Sequence, residues 1–277
     1  MQEQASLTAR GAAAHRAAHQ LLEGGVIFRD PFAVPILGES PETIRREAEA
    51  EPRRRIMRLF VAARSRIAED RLAEAVTRGL RQVVALGAGL DTFALRNPFR
   101  DLGLKVFEVD HPATQEWKRA RIAEAGLPAD RSRFTPVDFE RQNFFDELEK
   151  AGFDRKAPAF FLWLGVVPYL SRQAIEATLG TIAASQAEAV FDYGEPPEAF
   201  EGARREHMEA RMKRVAELGE PWLSFFTPTE MAALLEGAGF ARFDDLGPHE
   251  IATYLKSPSP PPLGTPGGHV VHARSRA

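Results

Sequence analysis

Apolar residues in the first eighty positions recur at helical spacing. In "SLTARGAAAHRAAHQLL", Leu7, Ala14, Ala18 and Leu21 fall near one face, which predicts an amphipathic helix. In "EPRRRIMRLFVAARSRIAEDRLAEAVTRG", Ile56, Leu59, Phe60, Ala63, Ile67 and Val76 recur at three- and four-residue steps, which predicts one long helix closed by Gly79. The stretch between them is broken by Pro31, Pro35 and Pro41, so it reads as a turn-rich connector with one short helix at most. Beyond residue 80 the period changes. "RQVVALGAG" reads as a strand and tight turn, "TFALRNP" as a short helix, "LKVFEVD" as a strand, and "TQEWKRARIAEAG" as a helix ended by Gly126. "SRFTPVD" is a strand, "NFFDELEKAGF" a helix, and "PAFFLWLGVVPYLS" a very apolar strand with its exit loop. "RQAIEATLGTIAAS" is a helix, "AEAVFDYGEP" a strand, and "PEAFEGARREHMEARMKRVAELG" a highly charged helix. "TPTEMAALLEGAGF" is a helix capped at Thr227 or Thr229 and ended by Gly239. Two last strands, "ARFDDLG" and "HVVHARSR", flank a proline-rich loop.

Strands alternating with helices of ten to fifteen residues predict an α/β layered fold on a mainly parallel sheet. The unbroken apolar runs VVAL and AFFLWL suit strands buried on both faces.

Composition narrows the chemistry. Hydrophobic residues make up 44% of the 277, enough for a sizeable core. The net charge of −3 provides no basic field for nucleic acid. There is no cysteine, so disulfides, thiolate nucleophiles and cysteine zinc sites are excluded. The seven histidines include one HxxxH pair, His15 and His19, but no HExxH motif, and no metal is expected. No apolar run approaches the ~20 residues of a membrane helix. The alanine- and arginine-rich start could suggest a transit peptide, but it carries Glu3 and Glu23, and a cytoplasmic location is expected.

The candidate chemistry sits at strand ends, where open α/β sheets bind ligands. Gly87-Ala88-Gly89 follows the first strand of the alternating region and offers a ligand bare backbone. The third position of a G-x-G-x-x-G fingerprint is occupied by Thr92, so a pyrophosphate site is missing and a nicotinamide dinucleotide is disfavoured. The next strand ends on Asp110, about twenty residues after Gly87, placed to accept from a ribose diol. The strand after that ends on Asp138, placed to accept from an adenine amine, with the Phe139 backbone N–H available to a ring nitrogen. Glycine turn, Asp and Asp on three consecutive strand ends suit an adenosine without phosphate, and so S-adenosylmethionine.

These residues, together with "SLTARGAAAHRAA", "RDPFA", "AARSRIAED", "VVALGAGLDTFALR", "EVDHP", "PVDF", "PYLS" and "GEPWLSFFTPTEMAALLEGAGF", resemble the leucine carboxyl methyltransferase-like family of S-adenosylmethionine-dependent methyltransferases, in its bacterial O-methyltransferase branch. The resemblance runs in order along nearly the whole chain. It implies one Rossmann-like domain over 1–277: a helical cap over 1–80, and a core over 81–277 with a seven-stranded, mainly parallel sheet, helices on both faces and a helical lid near 197–220. It implies cofactor contacts from the Gly87–Gly89 turn, Asp110, and Asp138 with Phe139 in place of the family's Leu. It also implies arginines for the methionine carboxylate, which map to Arg64 of "AARSR" and to Arg16. The bidentate fork of arginine suits that task.

A second departure from the family pattern matters more. Where the family reads Trp-Glu-Gly-Val, this sequence has Trp163-Leu164-Gly165-Val166, without the acid that faces the cofactor. Two readings follow: an O-methyltransferase acting on a small-molecule carboxylate or hydroxyl, or a catalytically degenerate relative that binds cofactor or a partner without turnover. Tyr169, Tyr193 and Trp222 are candidate substrate walls, with Asp192 and Glu195 beside them and Phe226 closing on an apolar substrate. No general base is assigned, and the sequence leaves the oligomeric state open.

Overall fold

The computed structural model describes residues 7–138, 142–217 and 219–275. The chain forms two compact units, 1–157 and 158–277.

The first unit opens with α1 (Leu7–Leu22), α2 (Ala33–Leu37), α3 (Pro41–Ala50) and the long α4 (Arg55–Thr77). Then follow β1 (Gln82–Leu86), α5 (Phe93–Arg96), β2 (Lys105–Asp110), α6 (Pro112–Glu124), β3 (Arg133–Pro136) and α7 (Phe144–Lys150). The strands lie in the order β3-β2-β1. All pairings are parallel, with Leu86 beside Val109 and Asp110 beside Pro136. Every residue of β1 is buried, as its unbroken apolar run predicts. Small and branched side chains knit the N-terminal helices to the turn after β1 and to α6: Ala13 and Ala17 of α1 and Ile36 of α2 share a core cluster with Leu90 and Ile122.

The second unit contains β4 (Ala159–Trp163), α8 (Arg172–Ala183), β5 (Ala187–Gly194), α9 (Gly202–Glu217), α10 (Pro228–Ala238), β6 (Phe240–Leu246), α11 (Pro248–Tyr254) and β7 (Gly268–Ser275). Its strands lie in the order β4-β5-β7-β6. β4 and β5 are parallel, whereas β7 runs antiparallel to both neighbours. α8 buries Ile175, Leu179 and Ile182 at helical spacing. α10 has a capping box in which Thr227 and Glu230 exchange hydrogen bonds, and it stops at Gly239 in the left-handed region. The charged α9 has no buried residue.

Two helices differ from the sequence reading. The connector before α4 contains a second helix, α3, because Pro41 occupies its first turn, where no N–H is needed, and Ser40 caps Thr43 N–H. α11 forms between the last two strands and likewise starts on a proline, Pro248. Among the described residues, no helix is long and apolar enough to cross a membrane, and no three His, Cys, Asp or Glu side chains could hold a metal ion.

Candidate active site

In the first unit the parallel register brings three strand exits to one edge. Gly87 follows β1, Asp110 ends β2, and Asp138 lies just beyond β3, where Val137 N–H donates to the Asp110 carbonyl at 2.9 Å. The turn after β1 requires glycine. Gly87 and Gly89 have φ of 65° and 46°. A Cβ on Gly89 would also lie 2.9 Å from Cβ of Ala9 on α1. Gly87 and Ala88 N–H both donate to the Val109 carbonyl, which ties the turn to β2.

Asp110 is bound to this turn through both oxygens. Gly89 N–H donates to Oδ2 at 2.6 Å, and His111 N–H donates to Oδ1 at 2.7 Å. A carboxylate has about four acceptor positions. Each oxygen therefore keeps one position for a further donor, the demand that two vicinal ribose hydroxyls make. Burial pushes the Asp110 carboxyl above its ordinary range, against the two backbone N–H donors and the positive charge of Lys118. Asp138 sits at the adjacent exit and is half-buried, with its N–H on Gln142 Oε1. Phe139 lies outside the described residues.

A buried ionic network surrounds the turn. Asp91 is held below the ordinary carboxylate range: burial opposes ionisation, but Arg16, Lys118, Arg96 and the Phe93 N–H prevail. Arg16 is buried and donates from Nε to Asp30 Oδ2 at 3.2 Å and from a terminal nitrogen to the Leu90 carbonyl at 2.6 Å. Arg64 is buried on α4. Arg58, which the sequence did not single out, joins α4 to the residue just after α1 by a forked pair with Glu23 at 2.7 and 2.9 Å.

In the second unit, Leu164 directly follows β4 and is half-buried. A carboxylate also stands at this exit: Asp192 of β5 accepts the Gly165 N–H at 2.6 Å. The segment 222–226 is fixed over both strand exits. Leu223 N–H donates to the Pro168 carbonyl at 2.6 Å, Ser224 Oγ to the Leu170 carbonyl at 2.6 Å, and Phe226 N–H to the Gly194 carbonyl at 3.1 Å. Trp222 lies between the Phe225 ring and the guanidinium of Arg211 on α9, which is 5.0 Å from the indole. Tyr169 ends a 3-10 turn over Val167–Tyr169 and is half-buried.

Tyr193 is placed differently from a substrate wall. It is 2% exposed, donates its hydroxyl to Asp245 Oδ2 at 2.6 Å, and stacks on His269 at 4.8 Å. His269 bridges Asp245 through Nδ1 at 2.9 Å and Glu195 through Nε2 at 3.1 Å. Desolvation lowers the His269 pKa, but Asp245 and Glu195 outweigh it, so the net direction is upward. The stability this cluster contributes is therefore complete below the unfolded histidine pKa of about 6.5 and is lost as pH rises through the higher folded value. His269→Gln should melt earlier than wild type near pH 6, by about 3 kcal/mol for two charge-assisted hydrogen bonds, and the two melting curves should converge in alkali. A constant difference across pH would remove the imidazolium from the account.

The comparisons with known proteins bear on this geometry. Residues 9–183 match the family described as leucine carboxyl methyltransferase. The chain belongs to that family. A Bacillus subtilis protein named "Putative S-adenosyl-L-methionine-dependent methyltransferase YktD" is 35% identical over 68% of this chain, which spans 63% of that relative's length. A Mycolicibacterium paratuberculosis protein of the same description is 34% identical, covering 78% of this chain and 72% of its own. Human N-acetylserotonin methyltransferase, solved with S-adenosylmethionine, superposes with a TM-score of 0.51 at 14% identity, covering 95% of this chain and 67% of that one. At that identity the likeness shows the fold alone: α/β, Rossmann-like, of the class I methyltransferases. S-adenosylmethionine is the cofactor in the names of these relatives, and Asp110, with acceptor positions left beside a bare backbone turn, offers the kind of acceptor that a ribose diol requires.

Proposed function

We propose that the protein transfers a methyl group from S-adenosylmethionine to an oxygen of a small molecule, a carboxylate or a hydroxyl. The observation that carries this reading is the row of adjacent exits, Gly87, Asp110 and Asp138, with both Asp110 oxygens anchored by backbone and each still able to accept. The cofactor supplies an electrophilic methyl sulfonium. The chain's own task is then alignment and exclusion of water. Asp110 orients the ribose, Asp138 and Phe139 read the adenine edge, and the Gly87–Gly89 turn admits the methionine part against backbone. Arg16 and Arg64 are the candidate partners of its carboxylate. Within the second unit, Tyr169 and Trp222 are the candidate acceptor walls, with α9 as the candidate lid. A carboxylate acceptor arrives as an anion and needs no general base, whereas a hydroxyl does. The family description favours a carboxylate.

One observation favours the second reading, a cofactor-binding protein without turnover: Leu164 stands where the family has Glu. Asp192 counters it by keeping a negative charge at the same exit. Radiolabelled methyl transfer to a panel of small carboxylic acids and phenols separates the two. Product with any acceptor supports the enzyme. Cofactor binding with no product over the whole panel, in wild type and in Leu164→Glu alike, supports the degenerate reading.

A further inference from the structure

The cofactor turn has no side chain with which to hold its own shape. Gly87, Ala88 and Gly89 have at most a methyl group, and two of the three sit at positive φ. Free glycines lose more conformational entropy on ordering than any other residue. The shape must therefore be imposed by neighbours, and the structure places one group at the centre of them. Asp30, in the loop between α1 and α2, is 1% exposed. Its Oδ2 accepts the Thr92 hydroxyl at 2.7 Å and Arg16 Nε at 3.2 Å. Its Oδ1 accepts Phe32 N–H at 3.1 Å, which fixes the carboxylate in its own loop, and lies 3.5 Å from Arg96 Nε. Arg16 in turn grips the Leu90 carbonyl at 2.6 Å. Arg96 donates to Thr92 Oγ1 at 3.1 Å and is itself held by Glu69 of α4 at 2.9 and 2.5 Å. Two of the three residues that follow the bare backbone on its α5 side, Leu90 and Thr92, are thus fixed from outside, and both clamps pass through Asp30.

We propose that Asp30 is a positioning residue for the cofactor: through Thr92 and Arg16 it holds the Gly87–Leu90 backbone in its binding shape before the cofactor arrives. The inference rests on the reading of that turn as the cofactor cradle. It also gives Thr92 a task. The position where a dinucleotide fingerprint has glycine has a hydroxyl here because the hydroxyl is the handle by which the N-terminal region holds the turn. Preorganisation of this kind appears in affinity, since a loosened turn must be ordered again on binding.

The test is calorimetric titration with S-adenosylhomocysteine, which needs no methyl acceptor, on protein shown to be folded by circular dichroism. Thr92→Val keeps the branched shape and removes the hydroxyl, Thr92→Ser keeps the hydroxyl, and Asp30→Asn keeps the packing and removes the charge. Thr92→Val and Asp30→Asn should each bind about tenfold more weakly, the double variant should be little worse than either single one, and Thr92→Ser should bind like wild type. A structural role alone would lower the melting temperature of Thr92→Val and leave affinity within about twofold at a temperature where the protein is folded. That result would overturn the proposal. If Asp30→Asn does not fold, the Thr92 pair carries the test. Asp110→Ala is the control that separates the two levels. Loss of binding in Asp110→Ala with unchanged binding in Thr92→Val removes only the positioning role, whereas unchanged binding in both removes the cradle itself and the inference with it.

Discussion

Asp110→Ala should lose at least about a hundredfold in affinity for S-adenosylmethionine, because each hydrogen bond to an ionised group is worth roughly 1.5–3 kcal/mol and two are removed. The loss should not come with general unfolding. The Asp110 carboxylate is half-buried and its pKa raised by desolvation, so its charge costs the fold stability at neutral pH. Asp110→Asn keeps the shape but sets its amide NH2 against a backbone N–H, so it should lose one of the two turn hydrogen bonds, melt modestly below wild type and bind with intermediate affinity. The same direction sets a pH dependence. Ribose hydroxyls donate to the ionised form, so affinity should fall on acidification, starting above the ordinary aspartate range near 4. Titration of wild type between pH 4 and 8 checks this. A flat profile, or an Asp110→Ala protein that binds like wild type, would place the ribose elsewhere.

Lys118→Met should be the most destabilising single change near the site. Lys118 Nζ lies 2.6 Å from Glu108 Oε2, and both side chains are 2% exposed. Removing one member of a buried pair leaves an uncompensated charge and costs about 3–5 kcal/mol, here a fall in melting temperature of roughly 10 °C. Burial already pushes the Glu108 carboxyl upward, with Lys118 opposing it. Without Lys118 the shift grows, so the variant should recover part of its stability on acidification, as Glu108 becomes neutral in the folded state. Glu108→Leu in the Lys118→Met background should restore most of the loss, because an apolar pair of similar volume removes the desolvation cost altogether. Thermal melting of the three proteins at two pH values checks these expectations. Lys118 also lowers the pKa values of Asp91 and Asp110, so the single variant should bind cofactor more weakly at mildly acidic pH.

The local code made the elements and the row of adjacent strand exits legible. The switch from helical to alternating period near residue 80 separates α1–α4 from β1, and the runs VVAL and AFFLW are fully buried in β1 and β4. Gly87, Asp110 and Asp138 each end or follow a strand, and a parallel register puts them side by side. What the sequence hid was long-range or depended on a cap. α3 and α11 are short and begin on proline, which reads as a break until the capping position is known. The Asp30–Thr92 bond joins residues 62 apart, so Thr92 showed only as a missing glycine and "RDPFA" only as part of a resemblance. Tyr193 looked like a wall because it sits at a strand end. Its partners, Asp245 and His269, come from β6 and β7, which no local pattern connects to β5.

The central claim is that Asp110 holds the cofactor ribose beside the Gly87–Gly89 turn. A crystal structure of the protein with S-adenosylhomocysteine tests it most directly. Both ribose hydroxyls should lie within hydrogen-bonding distance of the Asp110 carboxylate, the amino-acid part against the Gly87–Gly89 backbone, and the Gly89 and His111 N–H bonds should still be in place. A ligand bound with Asp110 engaged only by its own backbone would contradict it.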